Sequence, residues 1–152
     1  KTHLLHAVGN AARARQPTLA VEYVALDSYM DELHHALQGG RLEQFKQRYE
    51  ACGFLLLDDV QFLTGRTEVQ AELLRLFNGL QARGTQIVLA SDRPPDEIAD
   101  VADRLLARLA GGLTVDVGTP DYETRVAILQ KLSRDRDARF RDGVLEELAR
   151  ID

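Results

Sequence analysis

The sequence predicts an α/β fold built on a parallel sheet covered by helices on both faces. Strand-like runs alternate with helix-period segments along most of the chain. Two of those runs, Phe54 to Leu57 and Ile87 to Ala90, are apolar at every position, as strands buried on both sides are. Strands separated by helices connect through right-handed crossovers, and such connections build a parallel sheet.

Leu4, Leu5 and Val8 form the apolar face of a first helix reaching to about Arg15, where Gln16-Pro17 ends it. Val21 to Leu26 reads as a strand. Asp27 or Ser28 then caps a helix carrying Met30, Leu33 and Leu37, which stops at Gly39-Gly40. A short helix follows from Arg41 to about Glu50, with Leu42, Phe45 and Tyr49 on one face. After the run Phe54 to Leu57, Thr67-Glu68-Val69-Gln70 has the form of a capping box. The helix it opens carries Val69, Leu73, Leu76, Phe77 and Leu80 and closes at Gly84. Beyond the strand Ile87 to Ala90, Arg93-Pro94-Pro95 breaks the chain, and a short helix is expected over Ile98, Val101 and Leu105. Leu113 to Val117 reads as a further strand. Thr119-Pro120-Asp121 starts a last helical region, with proline suited to the first turn. Only helical pattern follows Pro120, so the expected boundary divides residues 1–119 from 120–152.

Composition narrows the function classes. With 19 basic and 24 acidic residues and a net charge of −5, the whole surface is no polyanion binder, and nucleic-acid contact needs a local patch or an assembled ring. Cys52 is alone, which excludes an internal disulfide and suits a reducing, cytoplasmic setting. No apolar stretch approaches the roughly 20 residues that span a bilayer, and no signal peptide is evident. The chain opens on Lys1 and closes inside the pattern Val144, Leu145, Leu148, Ile151, so both ends read as cuts.

Four constellations carry chemistry. Lys1-Thr2 before a helix fits the last two positions of the P-loop GxxxxGK[ST], although any chain can begin Lys-Thr. In a P-loop, Lys1 reaches the β- and γ-phosphates of ATP and the Thr2 hydroxyl ligates Mg²⁺. Asp58-Asp59 ends an apolar strand, at the carboxyl end of the sheet where ligands bind in open α/β folds. There Asp58 holds Mg²⁺ through its water shell and Asp59 orients the attacking water, or both simply form a turn. Ser91-Asp92 ends the next strand, a third point from which a polar group reaches the γ-phosphate. Arg104 and Arg108 stand four apart on one helix face, as a solvated basic face or as an arginine finger reaching a neighbouring subunit. His3, His6, His34 and His35 lack the carboxylate or cysteine pattern of a metal site and read as helix-face packing.

Taken in order, Lys1 to His6, Leu57 to Leu63, Leu76 to Leu80, Ser91-Asp92-Arg93-Pro94-Pro95, Arg104 to Arg108, Gly112 to Val115 and Glu123 to Leu129 resemble the DnaA family of bacterial chromosomal replication initiators. The resemblance runs nearly without gaps to about Arg134. It implies a P-loop AAA+ ATPase fold whose first strand and phosphate-loop glycines are missing here, followed by the start of a helical lid. It further implies tight binding of ATP and ADP, slow hydrolysis, and self-assembly of the ATP form into a helical oligomer that opens origin DNA. By family position Lys1 and Thr2 are Walker A, Asp58 and Asp59 Walker B, Asp92 sensor 1 and Arg108 the arginine finger, with Arg104 at a second subunit-contact position.

The helices from about Ser28 to Glu50 match an insertion that lines a single-stranded DNA channel. His34 and Arg66 are the implied DNA residues, with Glu68 where the family often has a base. The replicative helicase or its loader and acidic phospholipids are further implied partners. Helicase loaders, transposition-helper ATPases and regulatory homologues share much of this pattern. The Ser91-to-Pro95 segment leans toward the initiators, and both retained acids lean away from the regulators.

Overall fold

The computed structural model describes residues 1–151. They form two compact units, the first spanning Lys1–Thr114 and the second beginning at Val115.

In the first unit, three parallel strands lie in the order β1 (Val21–Ala25), β2 (Phe54–Asp58), β3 (Gln86–Leu89). The register sets Ala25 beside Asp58 and Leu57 beside Leu89, so the carboxyl ends of all three strands are level. Helix α1 (Thr2–Arg15) precedes the sheet. Helices α2 (Leu26–Gln38) and α3 (Leu42–Glu50) connect β1 to β2, and α4 (Thr67–Ala82) connects β2 to β3.

The unbroken apolar run of β2 follows from its place in the middle. Leu56 points into a small cluster with Leu5 and Val21 beneath α1. Leu55 and Leu57 point the other way, into the main core with Leu26, Tyr29, Leu33, Leu73, Leu80 and Leu105. All three leucines are 1% exposed, so alternation is lost because neither face meets water. Helix α1 lies close to the sheet at Gly9, where an added Cβ would stand 2.7 Å from Leu56 Cδ1.

Several local expectations are corrected. Gln70 does not close a capping box: α4 begins with no side-chain cap, and Gln70 turns inward, 5% exposed. Its amide nitrogen donates to the carbonyls of Leu63 (2.7 Å) and Asp100 (2.8 Å), and its oxygen accepts from the Ala102 amide (3.0 Å). Three backbone groups, one of them in a buried bond, outcompete one helix-end amide, which water can serve.

Helix α2 starts at Leu26 without a side-chain cap, and the Asp27 carboxylate accepts from the Ser28 amide next to it. Its buried stripe is Leu26, Tyr29, Leu33 and Ala36, leaving Leu37 half exposed. Ile98 and Val101 are buried as their pattern predicts, but in a turn, since helix α5 runs only over Asp103–Ala110. The strand expected at Leu113 to Val117 is absent. That segment joins no ladder among the described residues, and Leu113 is 94% exposed. A strand exists through its partners' hydrogen bonds, so apolar composition alone does not make one.

The second unit consists of α6 (Tyr122–Asp135) and α7 (Val144–Leu148). Asp121 caps α6 by accepting from the Thr124 amide at 2.8 Å, and that bond holds its carboxyl below the ordinary range. The Arg125 guanidinium donates to the Ala149 and Pro120 carbonyls.

Candidate functional site

Five residues expected to carry chemistry come from chain positions far apart, and the sheet brings them to one edge. Thr2 opens α1 and Asp58 closes β2, yet Thr2 Oγ1 donates to Asp58 Oδ2 at 2.5 Å across 56 residues of sequence. Asp58 is 2% exposed. A carboxylate that deep needs partners, and it has three: the Thr2 hydroxyl, the Tyr23 hydroxyl at 3.2 Å, and the Asp59 amide, which donates to Oδ1 at 2.9 Å.

Asp59 follows in a left-handed conformation, φ 57° and ψ 42°, which turns the chain sharply off the strand. Backbone bonds from Ala90 N to Leu57 O and from Val60 N to Ala90 O then hold this turn against the end of β3. The Ser91-Asp92 loop is thereby fixed beside it. Lys1 Nζ crosses to that loop and donates to the Ser91 carbonyl at 2.7 Å.

The Asp92 carboxylate is engaged by its neighbour. Arg93 makes two bonds to it, 2.7 and 3.1 Å, and that guanidinium holds its carboxyl below the ordinary range. Lys1, Thr2, Asp58, Asp59 and the Asp92 loop thus share one edge. Arg108 stands elsewhere, on α5, and donates to Gln81 in the last turn of α4. Arg104, one turn earlier, is exposed; Leu105 between them is fully buried and anchors the helix.

Two site residues escaped the sequence. Tyr23 lies on the α1 side of β1, where period-two alternation from Val21 puts it, and His6 stacks on it with ring centroids 4.1 Å apart. Burial first, then the Asp58 carboxylate, raises the Tyr23 phenol. Gln61 spans from Asp59 to the Asp92 backbone. No sequence rule marks a glutamine three residues past a strand as a bridge.

His34 and Arg66 also come together. Both line an open groove of about 560 Å³ between α2 and the start of α4, with Met30, Asp31, Leu37 and Glu68. The His34 ring is 2.8 Å from the Gln38 amide nitrogen, so its Nε2 accepts.

Chemically, the edge offers an ammonium, a hydroxyl and paired carboxylates. Thr2 Oγ1 and Asp58 Oδ2 are hard oxygen donors converging where α1 begins and β2 ends, the donor set that suits Mg²⁺ beside a phosphate. Among the described residues no helix is long and apolar enough to cross a membrane.

Comparison with known proteins gives the family. A model of the bacterial DnaA ATPase domain matches residues 1–116. The chromosomal replication initiator DnaA of Thermomicrobium roseum is 45% identical over 150 residues, covering 99% of this chain and 32% of the relative. DnaA of Thermus thermophilus is 42% identical over 150 residues, covering 99% of this chain and 34% of its own length. The chain therefore spans about a third of these relatives.

Among solved structures, domain III of Thermotoga maritima DnaA superposes with a TM-score of 0.94 at 38% identity, covering 99% of this chain and 63% of that one. A DnaA bound to AMPPCP and single-stranded DNA superposes with a TM-score of 0.83 at 37% identity, covering 98% and 46%. With the family model matched over most of its length and the acid pair, the lysine–threonine start and the strand-end loop gathered at one edge, the chain belongs to the bacterial DnaA ATPase-domain family.

Proposed function

We propose that this chain is the nucleotide-binding part of a chromosomal replication initiator, in which ATP acts mainly as an assembly switch and is hydrolysed slowly. The observation that carries the reading is the 2.5 Å bond between Thr2 and Asp58, which joins the start of α1 to the end of β2. A hydroxyl and a carboxylate meeting beside a lysine form the hard-oxygen side of a nucleotide–Mg²⁺ site. In this reading the Lys1 ammonium leaves the Ser91 carbonyl for the β- and γ-phosphates, while Thr2 and Asp58 hold the ion. Mg²⁺, when bound, neutralises phosphate charge. Asp59 orients water, and its short side chain favours slow turnover. Asp92 senses the γ-phosphate once Arg93 releases it.

Residues 1–119 act as the core and 120–152 begin the lid, in a protein working in the cytoplasm. Arg108 serves the neighbouring subunit, with Arg104 in the same contact; it bonds Gln81 at the end of α4 that leads into β3, not the acids at the strands' carboxyl ends, which suits a group used in trans. Origin DNA is the substrate of the assembled form, with His34 and Arg66 facing a single strand from the α2 groove. That groove also holds Asp31 and Glu68, so its net charge is acidic when His34 is neutral, and contact there rests on packing and hydrogen bonds more than on phosphate attraction. The replicative helicase or its loader and acidic phospholipids are partners by family analogy.

Sedimentation of the full-length protein with ATP and with ADP tests this. ATP-dependent assembly that disappears in Arg108→Ala, with ATP affinity changed by less than about threefold, is the expected result. Nucleotide binding with no ATP-dependent assembly would favour a regulatory homologue and remove the role given to Arg108.

A further inference from the structure

We infer that Gln61 is a positioning residue for ATP hydrolysis, joining the Asp59 carboxylate to the backbone of the Asp92 loop through one side-chain amide. Its Nε2 donates to Asp59 Oδ1 at 3.2 Å, and its Oε1 accepts from the Asp92 amide at 3.3 Å. The inference rests on the reading of Asp59 as the residue that orients water.

The surrounding bonds show why this link has no substitute. The Asp59 amide is occupied by Asp58, and the Asp92 carboxylate by Arg93, so neither can tie the two segments together. Backbone bonds between Val60, Leu57 and Ala90 align the segments but do not touch the Asp59 carboxylate. Among the described residues, Gln61 is its recorded side-chain partner.

The chemistry requires an amide. Donor and acceptor must sit on one terminal group; a carboxylate cannot donate and a hydrocarbon does neither. With Oδ1 held by Gln61, Oδ2 of Asp59 is left for water. In the reaction the water oxygen bonds to the γ-phosphorus and the bridging oxygen departs with its electron pair on ADP. The proton lost by water passes to Asp59 and on to solvent. Fixing Oδ1 sets the direction of Oδ2, and the same amide makes that direction depend on where the Asp92 loop sits. The two groups facing the γ-phosphate then move as one.

The test uses full-length protein with Mg²⁺, measuring ATP affinity at equilibrium and hydrolysis in single turnover. Gln61→Leu keeps the size and removes both bonds. Gln61→Glu keeps the acceptor for Asp92 but sets a second negative charge against Asp59, and it serves should the leucine variant not fold. Both are expected to slow hydrolysis about tenfold or more while ATP affinity changes less than about threefold. Adding Gln61→Leu to Asp59→Asn should cost nothing further, since the glutamine acts through the carboxylate.

A normal or faster rate in both glutamine variants, with Asp59→Asn inactive, would overturn the role of Gln61 and leave Asp59 standing. A matching loss of ATP affinity would overturn it too, making Gln61 part of the pocket wall. Native hydrolysis by Asp59→Asn would remove the reading of Asp59, and the inference about Gln61 with it.

Discussion

Gln70 shows how much one buried polar side chain can organise. Its three bonds tie α4 to the Leu63 carbonyl behind it and to the Asp100–Ala102 backbone that leads into α5. Asp100 is left-handed at φ 52°, so this approach to α5 is a bent segment held by the glutamine rather than by regular structure. Gln70→Leu would keep the volume, leave the Ala102 amide without its partner, and take one of two bonds from each of the Leu63 and Asp100 carbonyls. We expect a loss of about 2–3 kcal/mol of stability, seen as a lower urea midpoint at unchanged slope. Because α5 carries Arg104 and Arg108, the variant should also weaken ATP-dependent assembly. At the same scale Tyr23 and Gln61 were not legible in advance: each acts through a partner distant in sequence or through a turn whose geometry no local pattern specifies.

At the scale of elements, α1 is the piece that carries Lys1 and Thr2 to the acids, and its approach to the sheet is set at Gly9. Two effects of Gly9→Ala oppose each other. Alanine favours the helix by about 1 kcal/mol, but its methyl would meet Leu56 Cδ1 at 2.7 Å. Leu56 is 1% exposed and wedged with Leu5 and Val21, so it has no free space to enter, and overpacking of this kind costs about 1–3 kcal/mol. The clash should win. A fall in melting temperature is expected, together with weaker ATP binding as α1 is pushed outward; a rise would show that Leu56 can repack. Most elements were legible because burial imposes periodicity. Leu42, Phe45 and Tyr49 form one helical stripe, and β2 is apolar throughout because both its faces are covered. Leu113 to Val117 misled for the converse reason: its composition suits a strand, but a strand also needs a partner.

At the scale of the whole molecule, the first unit has its own core running from α2 through β2 to α4 and α5. Cys52 reports on it. The thiol is 6% exposed, and burial, reinforced by the Glu22 carboxylate, raises it above its ordinary value. Alkylation by iodoacetamide near pH 8 should therefore be slower in the native protein than in denaturant, since burial both blocks access and lowers the thiolate fraction. Equal rates would mean that this core opens readily. The charge balance also matters here. With a net charge of −5, the proposed DNA contact needs a local surface, and the α2 groove gathers His34 and Arg66 but offsets them with Asp31 and Glu68.

The order of strands and helices, the covered parallel sheet and the family were readable from the sequence, because burial periodicity and strand-end acids are local signals repeated along the chain. What the tertiary structure decided is which polar groups meet. It put Thr2 on Asp58, drew Tyr23 onto the same oxygen, bridged Asp59 to the Asp92 loop with Gln61, and turned Gln70 inward instead of into a cap. Hydrogen bonds act over about 3 Å, and whether two residues come that close depends on strand register and helix docking, which are properties of the packed core and not of any window of sequence.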